Sequence, residues 1–150
     1  MEQYDPQLAD RVWQRVQGRS AESTMPDILS FLQEESADLS RYLQLQNTLL
    51  HPQKAFLLQL IQITRYCITI LRGILSLQSD TLPKTMSYPL PKELPSASLK
   101  RLYGNTLRRS NHYSQWRADS VYGIAFTQLE TQCHQRCLLI LQLLGRESDK

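Results

Sequence analysis

The chain has 150 residues, of which 41% are hydrophobic and 21% charged, enough apolar content for one domain with a buried core and too much for a disordered tail. Three cysteines, Cys67, Cys133 and Cys137, are odd in number and widely spaced, which excludes a disulfide framework, and a net charge of +3 selects no partner by itself. Val occurs only at 12, 16 and 121 and Gly five times, while Leu and Gln abound, so the composition favours helices over sheet.

In chain order, Asp5-Pro6 reads as the N-cap and first position of a short helix over about 5–18 that ends at Gly18. Leu8, Val12 and Val16 repeat every four residues along it, with Trp13 beside them. Residues 19–24 read as a linker. Thr24-x-x-Asp27, with Pro26 between, predicts the start of a first long helix over about 25–47. Its inward stripe is Ile28, Phe31, Leu32, Glu35, Leu39, Tyr42 and Leu45 or Gln46. His51-Pro52 predicts a break. A second helix over about 53–79 carries the stripe Leu57, Leu60, Ile61, Thr64, Cys67, Ile68, Leu71, Ile74 and Leu75. Pro83, Pro89, Pro91 and Pro95 exclude regular structure over about 80–96. A third helix, over about 97–117 from Ser96 or Ser98, has the stripe Leu99, Leu102, Thr106, Arg109 or Ser110, Tyr113 and Trp116. Asp119 or Ser120 caps a fourth, over about 120–145, with stripe Tyr122, Ala125, Phe126, Leu129, Cys133, Arg136, Ile140, Leu143 and Leu144, and Gly145 as a natural stop.

The first residues, MEQYDPQLADRVW, show no basic and then apolar signal pattern. The most apolar stretch, Phe56 to Leu77, holds Gln59, Gln62, Arg65 and Arg72, so it reads as a buried bundle helix and not a membrane span. A cytoplasmic location with reduced thiols is the expectation. Two short breaks predict two antiparallel hairpins. The connection between them is about 17 residues, a reach of roughly 55 Å, against roughly 33 Å for a helix of about 22 residues. It can therefore cross the length of the body, giving an all-α four-helix bundle of ferritin-like connectivity plus the short N-terminal helix. The alternative, a linker between two separate hairpins, leaves each hairpin's stripe unburied.

Five residues interrupt the apolar stripes near mid-helix: Glu35, Thr64 with Cys67, and Cys133 with Arg136. Carboxylate-bridged di-iron proteins place their site there, using a Glu from each of two helices and a Glu-x-x-His from each of the other two. YDPQLADRVWQRV, FLQEESADLSRYLQL, LIQITRYCITILRGI and FTQLETQCHQRCLLILQLLG together resemble the ferritin-like superfamily, nearest to bacterial rubrerythrin-like proteins, over nearly the whole chain. The resemblance implies iron chemistry in oxidative-stress defence and a homodimer or other homo-oligomer. It aligns Glu35 and Tyr42 with the first-helix Glu and the Tyr seven residues on. The two Glu-x-x-His pairs fall on Thr64 and Cys67 and on Cys133 and Arg136. The third-helix carboxylate position falls just before Tyr113, around Asn111, where there is no acid. A di-iron site takes roughly four carboxylates. Arg136 stands at a ligand position with a fixed positive charge. The expectation is a degenerate site without a bound metal, in which Glu35 pairs with Arg136 in a non-catalytic structural or interaction protein; a surviving iron or zinc oxidoreductase is the alternative.

Cys67 and Cys133 with His134 could hold a soft metal, although buried Cys more often packs as a small hydrophobe. Cys133 and Cys137, four apart, form a weak metal signal, and His51 reads as a loop residue. A second alternative is nucleic-acid or acidic-partner binding. No acid occurs between Glu93 and Asp119, where Lys100, Arg101, Arg108, Arg109 and Arg117 interleave with Tyr103, Tyr113 and Trp116. No phosphate loop, nucleophile triad or cofactor fingerprint is present.

Overall fold

A computed structural model describes residues 27–78 and 90–148. They form four α-helices: α1 (Ile28–Leu45), α2 (His51–Gln78), α3 (Pro95–Asp119) and α4 (Gly123–Ser148). The short helix expected over 5–18, the linker at 19–24 and most of the Pro-rich connection lie outside the described residues.

Each start has a local cause. The Asp27 carboxylate accepts from the Ser30 backbone N–H at 3.0 Å, satisfying one orphan donor of α1. The Gln53 side chain accepts from the Leu50 N–H at 3.0 Å, half of a capping box, and Pro52 sits in the first turn where no N–H is needed. His51-Pro52 therefore opens α2 instead of breaking the chain before it. Leu94 is extended ahead of Pro95, which begins α3 two residues earlier than expected. At the last turn the Ser120 hydroxyl accepts from the Tyr122 N–H at 3.0 Å. Gly123 is required there, because a Cβ would lie 2.7 Å from the Arg117 carbonyl oxygen. Gly145 does not stop the last helix; α4 continues to Ser148.

The helices pack α1 on α2, α2 on α4, α4 on α3 and α3 on α1. Two apolar clusters fix their directions. At one end lie Ile28, Phe31 and Leu32 of α1 with Cys67, Leu71 and Ile74 of α2, Tyr113 and Trp116 of α3, and Phe126, Leu129 and Cys133 of α4. At the other end lie Tyr42 and Leu45 with Leu57, Leu60 and Ile61, Leu99 and Leu102, and Leu139, Ile140 and Leu143. The beginning of α1 thus meets the end of α2 and of α3 and the beginning of α4, so every neighbouring pair is antiparallel. α2 finishes at one end of the bundle and α3 begins at the other. The connection between them therefore joins opposite ends, which its length allows.

The first cluster is aromatic: Phe31 and Trp116 rings are 4.9 Å apart, and Tyr113 stacks on Phe126 at 6.1 Å. The predicted stripes are the buried ones, with Leu39, Ile68, Leu75, Tyr122, Ala125 and Leu144 only partly covered. By length and composition α2 could cross a membrane. Here its apolar face lines the core, while Lys54 and Arg65 lie on its exposed side.

Candidate functional site

Between the two apolar clusters lies a polar layer built by all four helices. Glu35 of α1, Thr64 of α2, Arg109 of α3 and Arg136 of α4 each have 0% of their surface exposed. Helical spacing puts them there: Glu35 continues the stripe of Phe31 and Leu32, Thr64 that of Leu60 and Ile61, Arg109 that of Thr106, and Arg136 that of Cys133.

Glu35 is the hub. Arg136 holds it with two parallel bonds, Nη1 to Oε1 at 2.6 Å and Nη2 to Oε2 at 3.0 Å. Arg109 approaches from another side, Nε donating to Oε2 at 3.2 Å and Nη2 to Oε1 at 3.5 Å. The Tyr113 hydroxyl donates to Oε2 at 3.1 Å. The expected pairing of Glu35 with Arg136 is present, and a second arginine joins it. Arg109 also donates to Asp38 and, at 3.5 Å, to Glu34. Arg136 further donates to Thr64 Oγ1 at 3.3 Å and to Cys133 Sγ at 3.2 Å. The Thr64 hydroxyl in turn donates to the Leu60 carbonyl at 2.7 Å. Two buried carboxylates face two buried guanidiniums, so the layer's formal charges cancel.

Burial alone would raise the Glu35 pKa. The adjacent positive charges of Arg109 and then Arg136, with their hydrogen bonds, outweigh it and hold the carboxyl at about 2. Burial pushes Asp38 up, with Arg109 opposing and Glu35 adding to the rise. Burial also raises Cys67 well above an ordinary thiol and carries Cys133 to about 11. These groups make poor catalysts. Glu35 is fixed as an anion with both oxygens saturated by donors, and the thiols are buried and protonated.

The donor set does not fit a di-iron centre. Its one central carboxylate accepts from two guanidiniums and a phenol, and Arg136 and Arg109 fill the space that bridging cations would need. Among the described residues, no three His, Cys, Asp or Glu are placed to hold a metal. Cys67 and Cys133 are buried, but His134 is exposed and does not converge with them. Asn111 is exposed as well, so it takes no part in the layer.

The expected basic surface of the third helix is altered in the same way. Arg109 belongs to the core, because its position on the stripe of Leu102, Thr106 and Tyr113 outweighs its charge once carboxylates are at hand. Arg101 pairs with Glu93 at 3.2 Å, Arg108 with Glu34, and Arg117 with Glu130 at 2.9 Å. Lys100 is exposed. The acids are absent from the local sequence yet return from other segments.

Neither Asp38 nor Arg41 was among the site residues read from the sequence. Both are buried. Asp38 lies three residues beyond Glu35, a spacing that shares a face, and this was the available signal. Comparison with known protein families, characterised proteins and solved structures finds no match to this chain.

Proposed function

We propose that this protein is a ferritin-like, rubrerythrin-like bundle in which a network of ion pairs stands where relatives of that kind keep iron, and that it acts as a non-catalytic structural or interaction protein. The observation that carries this reading is the bidentate grip of Arg136 on Glu35, completed by Arg109. A carboxylate so held is already neutralised and hydrogen-bonded, and a cation would have to displace two guanidiniums to reach it. The up, down, down, up helix directions with one end-to-end connection support the ferritin-like comparison. The pairing of Arg101, Arg108 and Arg117 with carboxylates counts against a nucleic-acid groove.

The test is metal analysis of protein expressed with supplementary iron and zinc, alongside a peroxide-consumption assay. The expected result is metal far below one equivalent per chain and no turnover. Stoichiometric iron with peroxide turnover would overturn the reading in favour of a rubrerythrin-type oxidoreductase.

A further inference from the structure

Among the described residues, three buried side-chain atoms have no hydrogen-bond partner: the Tyr42 hydroxyl on α1, the Thr106 hydroxyl on α3 and Nε of Arg136 on α4. All three residues are 0% exposed. Polar atoms so deep in a protein are paired with protein or with ordered water, because an orphaned one costs the full loss of its hydration. Thr106 is the odd one of its kind. Thr48, Thr64, Thr69, Thr127 and Thr131 each donate to a carbonyl three or four residues back. Thr106 lies in mid-helix, where the same bond is on offer, and does not make it. Its hydroxyl is left for a partner outside its own helix.

The three atoms lie on one side of the polar layer. α1 and α3 are antiparallel, and Asp38 meets Arg109. Tyr42 is one turn beyond Asp38 and Thr106 one turn before Arg109, so both come to the next level, on the side of the cluster that holds Tyr42 with Leu99 and Leu102. Arg136 runs back along α4, its Nη2 reaching Cys133 Sγ and both Nη atoms reaching Glu35. Its Nε, nearer the backbone, therefore stays on the Tyr42 side of those bonds. Burial raises the Tyr42 phenol, and of the layer's charges that of Arg136 acts on it most strongly. The charges of Glu35 and Asp38 already balance those of Arg109 and Arg136, so an occupant is neutral. Nε can only donate, while each hydroxyl donates or accepts. Water, with two donor and two acceptor sites, is the smallest neutral molecule that answers all three, and buried waters make about three such bonds.

We propose that an internal water molecule is held between Tyr42, Thr106 and Arg136, joining α1, α3 and α4 beside the ion-pair layer. It meets the layer at Arg136 Nε, while the oxygens of Glu35 keep their protein donors. A water held in this way is part of the core and does not screen charge as bulk solvent does at the rim. The test uses the full chain with Thr106→Val and Tyr42→Phe, each of which removes a hydroxyl and keeps the remaining shape. Each variant is expected to unfold at a lower urea concentration than wild type, with unchanged helical circular dichroism in the folded state. The double variant is expected to lose less than the two single losses together, because the bridging molecule is shared. With nitrogen-15 at the arginine Nε positions, the Arg136 N–H is expected to show a nuclear Overhauser effect from long-lived water, and Thr106→Val to abolish it. An unchanged or raised urea midpoint in either single variant overturns the proposal, since relief of a dry, orphaned hydroxyl has that sign. So do strictly additive losses, or an Arg136 N–H without contact to long-lived water. The proposal goes beyond the metal-free reading, and none of these outcomes alters the metal measurement, so the two can fail separately.

Discussion

Two glutamates in this bundle have nearly the same partners and very different surroundings. Glu35 is held by Arg109, Arg136 and the Tyr113 hydroxyl at the centre. Glu93, just before α3, is held by Arg41, Arg101 and the Ser98 hydroxyl at the rim. Both carboxyls have lowered pKa values, Glu35 because its two arginines outweigh burial, and Glu93 through its hydrogen bond from Arg101, with burial opposing. The difference is water. At the rim Arg41 is buried, but Glu93 and Arg101 keep contact with solvent, which screens their charges and can replace a lost partner. At the centre nothing can, and removing one charge strands the others. The same chemistry is a replaceable tether in one place and, in the other, a pair from which neither member can be removed alone without cost.

The sharpest way to break the comparison is Glu35→Gln, which leaves two guanidiniums facing each other in the core beside Asp38 and the partly buried Glu34. A stability loss of about 3–5 kcal/mol is expected by urea denaturation followed by helical circular dichroism. A loss below about 1 kcal/mol would mean that water reaches the layer.

A pH titration reads the same interaction without mutation. The folded Glu35 pKa of about 2 lies below its ordinary value of 4.5, so its stabilisation is complete above the latter and is lost as the pH falls towards the former. The shift corresponds to about 3 kcal/mol. Asp38, raised by burial, works in the opposite sense, because its folded form binds a proton more readily than the unfolded chain does. Unfolding curves between these pH values should show a net loss on acidification, and Glu35→Gln should flatten it.

A third measurement separates the cost of stranded charge from the worth of the pair. Glu35→Leu combined with Arg136→Met removes both members and leaves Arg109 with Asp38 and Glu34. The double variant should be more stable than Glu35→Gln, since apolar replacement of a buried ion pair is often neutral or better. If it is worse, the layer supplies packing that leucine and methionine cannot reproduce.

The smallest effect belongs to the rim. Glu93→Gln should lower stability much less than Glu35→Gln, and the difference from wild type should vanish in molar salt, as screening predicts for partly solvated pairs. A salt-independent loss as large as that of Glu35→Gln would erase the distinction between the two sites.

Much of this layer was legible beforehand in single positions. Glu35, Thr64, Cys67, Cys133 and Arg136 stood out because each interrupts an apolar stripe at helical spacing, and all five are buried. Pairing of Glu35 with Arg136 follows from the cost of an unpaired charge. Arg109 was ambiguous: it lies on the stripe but among basic neighbours, and periodicity does not say whether a carboxylate waits opposite. Asn111 was placed by analogy with a motif and lies on the surface. His51-Pro52 looked like a break because a proline in mid-helix would be one; in a first turn it is not.

Periodicity and loop length are local properties of the chain, so the sequence was enough for the four long helices and the buried face of each, and it allowed the second and third to be joined end to end. Tertiary structure alone decided which charges meet. Glu34, Glu35 and Asp38 are separated from Arg108, Arg109 and Arg136 by 70 residues or more, and only the antiparallel stacking of α1 on α3, and of α2 on α4, sets them at one level. Electrostatic energy depends on distance and dielectric, and neither is written in the order of the residues.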